Sequence, residues 1–185
     1  MGRGIASATL AVALWVGIPR AAFAGDITCA WNIATEAQHD ALIARAGGDE
    51  GAPHFTWDRS QVDRIIAECH YNFRNADRSS KAITPAVGAY AVELLGASQL
   101  SREFGIGTKK VDLVWSGLAP SERNTMAAFN EAPISTAQSA GVNAADTMVK
   151  LLMELGLNTH DPNASGAVFN YLSGKISREQ YEAQF

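Results

Sequence analysis

The chain has 185 residues, 47% of them hydrophobic and 18% charged, with a net charge of −4 and no run of like charges. That balance excludes a disordered or acidic-tail protein and argues against nucleic acid as the main partner, because a phosphate binder carries clustered Lys and Arg. The length suffices for one domain with a real core, and no internal repeat or low-complexity linker divides it.

Arg3 gives a short basic start, Ile5 to Ile18 an uncharged and mostly apolar run of 14 residues, and Ala22-Phe23-Ala24 a small-residue cleavage motif. This is the layout of a secretory signal peptide over residues 1–24, cut before Gly25. The apolar run is shorter than the roughly 20 residues of a membrane-spanning helix. Asp26-Ile27-Thr28 ahead of Cys29 does not form a lipid-attachment box. The expected mature chain, 25–185, is a single soluble helical domain in the periplasm or secreted. It holds 13 basic against 19 acidic residues, net −6, once Arg3 and Arg20 leave with the leader.

The first helix is predicted from Thr28 to Arg45, with Cys29, Ile33, Ala37, Ala41 and Ala44 on one face and Gly47-Gly48 ending it. The second is predicted from Asp58 to Asn75. Asp58 and Gln61 form a capping box, and Val62, Ile65, Ile66, Cys69 and Phe73 form the apolar stripe. The sequence places Trp57 as a hydrophobic staple onto Val62. Cys29 and Cys69 are the only cysteines. An even count in an oxidising compartment implies a disulfide. Residue 49, midway between them, lies in the turn-like GGDEG of residues 47–51, so a helical hairpin folded there sets both sulfurs level on antiparallel helices.

Later elements follow from their caps. Thr84-Pro85 opens a third helix ending at Phe104, with Gly105 as left-handed cap. Thr108 caps a fourth that buries Val111, Val114, Trp115 and Leu118 and stops at Pro120. Ser121 caps a fifth carrying Met126 and Phe129 and ending before Pro133. The sixth spans Thr136 to Leu155, with Val142, Ala145, Val149, Leu152 and Leu155 inward and a Schellman ending at Gly156-Leu157. An apolar turn over Val168 to Leu172 and a last helix from Ser177 complete the chain. No stretch alternates with period two, so the fold class is all-α: one compact bundle of six or seven helices whose N-terminal hairpin carries one disulfide.

Candidate chemistry is sparse. Cys69 beside His70 raises a thiol–imidazole pair, but neighbours on a helix point about 100° apart, so a structural cysteine is the expectation. Asp161, Asn163, Ser165 and Gly166 match the first, third, fifth and sixth positions of a calcium loop, yet Leu172 stands where a bidentate glutamate belongs. Another partial match, through Gly174, Ile176, Ser177 and Gln180, has Phe169 and Tyr171 at ligand positions. The plainer reading is a turn with Ser177 and Gln180 as a capping box, and no metal or other cofactor is expected. His39, His54, His70 and His160 show no metal-ligand spacing. GIGTKK lacks the Gly-Lys-Ser/Thr ending of a phosphate loop, and no hydrolase motif is present. Asn163-Ala164-Ser165 is a formal glycosylation acceptor.

These features lead to a non-catalytic exported protein that binds a protein or small ligand of the cell envelope, such as an inhibitor, an immunity-type protein or an accessory factor. Two alternatives stand beside it. One is a periplasmic enzyme using His39 or His70 with a nearby carboxylate. The other is a carrier of a small apolar ligand held between helices.

Overall fold

A computed structural model of the chain describes residues 26–71, 76–131 and 137–184, with side chains at 76–80, 129, 131 and 137–143 outside the description. The expected leader, Phe73, the side chains of Phe129 and Val142, and the predicted helix limits at Asn75, Pro133 and Thr136 lie outside the described residues. Within the described residues the elements are eight helices: α1 Thr28–Ile33, α2 Glu36–Ala46, α3 Arg59–Glu68, α4 Ala76–Phe104, α5 Thr108–Gly117, α6 Pro120–Glu131, α7 Ala137–Leu155 and α8 Pro162–Glu182. The all-α expectation holds, as does the Cys29–Cys69 bond.

The predicted first helix is two helices. Thr35 adopts an extended conformation, its side chain accepts from the Gln38 N–H, and the Gln38 side chain accepts from the Thr35 N–H. This capping box restarts the helix and turns α2 away from α1. The predicted box at the start of α3 is present, with Asp58 accepting from the Gln61 N–H at 2.8 Å. The two boxes are joined: the Gln38 and Gln61 amides exchange hydrogen bonds at 3.0 and 2.6 Å. Trp57 packs edge-on to Phe55 against the adjoining core, with its indole N–H buried and without a hydrogen-bond partner. α3 ends earlier than predicted, with Cys69 as its cap and His70 at φ 52°, a left-handed conformation that terminates a helix.

Three more predicted boundaries move. α4 begins at Ala76 and carries Pro85 inside it, so Thr84 is no cap. An interior proline costs about 3 kcal/mol, but burial of Ile83, Ala86 and Val87 around it gains more. Pro120 opens α6 rather than stopping α5, and the Glu122 carboxylate, not Ser121, accepts the free Ala119 N–H at 2.7 Å. Thr108 is the first residue of α5 and Gly107 its cap. The Gly156 ending stands as expected: φ is 77° and the Leu157 N–H reaches the Leu152 carbonyl at 2.8 Å. α8 is unbroken, so Ser177 and Gln180 are interior helical positions.

α4 and α8 make the most extensive helix pairing. A Cβ on Gly96 would lie 2.2 Å from the Tyr171 nitrogen, and one on Gly174 would lie 2.3 Å from the Glu93 nitrogen. Position rises along one helix as it falls along the other, so the two run antiparallel with backbones touching, which only glycine permits. Polar ties run out from α8. Arg178 pairs with Glu93 at 2.6 Å, Lys175 with Asp112 of α5 at 2.6 Å, and Ser177 accepts from Asn130 of α6 at 2.7 Å.

Two buried clusters flank α4. One gathers Leu100, Val111, Leu118, Leu151, Leu152, Leu155, Val168 and Leu172 from α4, α5, α7 and α8 with the α5–α6 link. The other gathers Ile27, Ala30, Leu42, Ile65, Ile83 and Val87 from the N-terminal helices and the first half of α4. On α7 the inward face is rotated from the predicted one. Ala145 and Val149 are exposed, while Ala144, Leu151, Leu152 and Leu155 are buried.

Candidate functional site

The sequence-derived candidates fall in separate places. Cys29 near the start of α1 is bonded to Cys69 at the end of α3, with Cα atoms 5.6 Å apart across 40 residues of chain. No described cysteine is free, so neither serves as a nucleophile in this state. The sulfurs join α1 to α3 rather than the arms of one straight hairpin, because Thr35 breaks the first arm.

The histidines do not converge. His39 stacks on Trp31 with ring centroids 4.1 Å apart and planes 10° from parallel. Its Nε2 sits 2.8 Å from the Trp31 carbonyl. A carbonyl only accepts, so Nε2 carries the proton, and this ring fastens α2 to α1. His54, His70 and His160 are exposed. Among the described residues no histidine pairs with a carboxylate, and no group of three His, Cys, Asp or Glu side chains could hold a metal ion.

The stretch read as half a calcium loop is the cap and first turn of α8. The Asp161 carboxylate accepts the Asn163 N–H at 2.9 Å, and the Ser165 hydroxyl donates to the Asp161 carbonyl at 3.2 Å. Pro162 takes the first helical position. A twelve-residue calcium loop wraps its oxygens around an ion. Here the residues after Asp161 form a helical turn, with Pro162 and Asn163 exposed and Ala164 buried.

The half-buried charges beside residues 26–30 are structural. Arg178 bridges Glu93 and Glu182, at 2.6 and 2.7 Å, and lies over the Tyr90 ring. Glu182 also accepts the Ile27 N–H at 2.9 Å. Burial raises the Glu182 carboxyl above its ordinary value, against the opposing pull of that N–H and of Arg178. The Tyr71 hydroxyl donates to the Asp26 carbonyl at 2.9 Å, and burial holds this phenol in its neutral form. These groups stitch residues 26–30 to α8 and to the segment following the disulfide.

Concavities lie elsewhere. One of about 400 Å³ borders the disulfide and is edged by Asp26, Arg64 and Glu68. A second, about 420 Å³, lies between α6 and α7 and is crossed by the Lys150–Glu122 pair at 2.9 Å. The third is apolar, about 310 Å³, where α6, α7 and α8 meet. Met126 of α6 and Met148 of α7 form its walls, with Ala144 and Ala145 beside them. Ser165, Gly166 and Phe169 of α8 form the floor. Small residues on two facing helices leave this space, since Ala, Ser and Gly do not reach across it. The sequence reading missed it because it set Ala145 and Val149 inward. The signal was available: Ala144-Ala145 and Ser165-Gly166 are small-residue pairs, each followed within one turn by a long apolar side chain.

No described helix is long and apolar enough to cross a membrane. No family model, curated protein or solved structure matches this chain.

Proposed function

We propose that this is a non-catalytic exported protein of the cell envelope, periplasmic or secreted, that holds a small apolar ligand in the groove between α6, α7 and α8. The groove carries the reading. Its 310 Å³ falls at the small end of ligand pockets, and its walls are hydrophobic, as such pockets are. The two thioether side chains adapt to more than one shape. Export is supported by the leader-like first 24 residues and by the disulfide, a bond at home in an oxidising compartment. Against the enzyme alternative stand the exposed or structurally engaged histidines and a described groove lining that carries no titratable group.

The test is to express the full chain with its leader, recover it from the periplasm and sequence its N-terminus. A start at Gly25, together with saturable binding of a neutral apolar fluorophore by the purified protein, is the expected result. Retention in the cytoplasm with both thiols free would sink the export reading. Failure of every neutral apolar probe to bind would sink the ligand reading.

A further inference from the structure

We infer that the groove takes only hydrocarbon, about a dozen carbon atoms of it, and that Gly166 sets its depth. This rests on the reading of the groove as the ligand site and specifies what that ligand is.

Among the described residues, the lining offers a ligand no hydrogen-bond proton. Met126, Ala144, Ala145, Met148 and Phe169 present apolar side chains, and the Ser165 hydroxyl donates to the Asp161 carbonyl. Helical backbone groups along these walls are spent on their own ladders. A polar atom seated there would be dehydrated without compensation, and a charge would fare worse. The ligand's buried part is therefore hydrocarbon, and any polar head stays at the mouth in water. Size follows from volume. An apolar cavity of about 150 Å³ holds benzene's six carbons, so one of 310 Å³ accommodates roughly twelve.

Gly166 differs from the other glycine inside α8. Gly174 is obligatory because the α4 backbone lies against it, whereas a Cβ on Gly166 would meet no atom within 4 Å. Nothing in the packing of α8 requires glycine there. What its missing side chain leaves is open space over the groove floor, where a ligand can approach the helix backbone.

The experiment uses the processed chain, titrated calorimetrically with 1-alkanols of six to sixteen carbons, with the matching alkanoates, and with 1-naphthol as a fused-ring arm. Affinity should rise about fourfold per methylene and level off near twelve carbons. Alcohol and carboxylate of equal length should bind within a few-fold of each other, since the head lies outside. Stronger binding of long alkanols than of naphthol identifies an acyl chain as the occupant, and the reverse a fused ring. In Gly166→Leu binding should fall more than tenfold while the melting temperature holds or rises, which separates filling the groove from unfolding. Met148→Ala should move the plateau to longer chains. Wild-type affinity in Gly166→Leu, or affinity independent of chain length, would overturn this inference while leaving a ligand-binding protein in place. Silence from every probe would remove the underlying reading as well.

Discussion

Gly166 and Gly174 occupy the same helix and face opposite surroundings, and alanine at each should shift stability in opposite directions. At Gly174 a methyl group meets the Glu93 backbone at 2.3 Å, so α4 and α8 must part along their whole contact. A cost of about 3 kcal/mol or more is expected in urea unfolding. At Gly166 the methyl group enters open space, and alanine should stabilise by about 0.5–1 kcal/mol through its helix propensity. Equal effects at the two positions would refute the packing described above. Sequence treats the two alike; both fell at the sixth position of a partial calcium-loop pattern. What separates them is the neighbouring helix, which no local pattern encodes.

Glu182 gives a residue-scale expectation for pH. Its carboxyl is raised above the ordinary 4.5, first by burial and then by Asp26, against the Ile27 N–H and Arg178. The folded chain therefore holds this proton more tightly than the unfolded chain does. The charged form carries a stability cost at neutral pH that disappears as pH falls through the raised value toward 4.5. Wild type should gain stability relative to Glu182→Gln between pH 7 and 4.5. A difference between the two proteins that stays constant across that window would remove burial of the charge as the cause.

Among the helices, ends written in three or four consecutive residues were legible. The Asp58–Gln61 box and the Gly156-Leu157 ending stand where the sequence puts them, because each is closed by hydrogen bonds within a single turn. The errors arise where distant packing overrides a local signal. Pro85 stays inside α4 because buried neighbours hold the helix through it. α8 runs unbroken through Ser173 and Gly174 because α4 and Asn130 engage it there. The break at Thr35 was legible in principle, as T-x-x-Q, but lay within an apolar pattern that continued through it. The link between the boxes at Gln38 and Gln61 was not legible, since it joins residues 23 apart. Gln61 is buried, and Gln61→Ala removes both a box and the amide pair, so a loss of roughly 1–2 kcal/mol is expected. The double variant with Gln38→Ala should cost less than the sum of the two single changes. Strict additivity would mean that the boxes act independently.

For the molecule as a whole, α4 is the shared wall of two buried clusters, and the disulfide closes the N-terminal one. The bond spans 40 residues and removes about 4 kcal/mol of chain entropy from the unfolded state. Cys29→Ser with Cys69→Ser should lower unfolding stability by about that amount, and a change below 1 kcal/mol would mean the N-terminal cluster holds α1 without it. The pairing was legible because two cysteines leave one choice. The groove was written only in its two small-residue pairs, and reading them as a groove depends on which side of α7 turns inward.

The contact between α4 and α8 has a consequence for how the protein is made. The helix that supplies Val168 and Leu172 to one cluster and Tyr181 to the edge of the other is the last of the eight described helices to leave the ribosome, and the Ile27 N–H finds its partner only when Glu182 has been synthesised. A nascent chain lacking α8 leaves Gly96 of α4 bare, and such a chain should remain loosely packed. Protease digestion of a chain ending at Asp161 is the direct check: rapid cleavage within α4 is expected, and protection there would show that α4 packs before α8 is made.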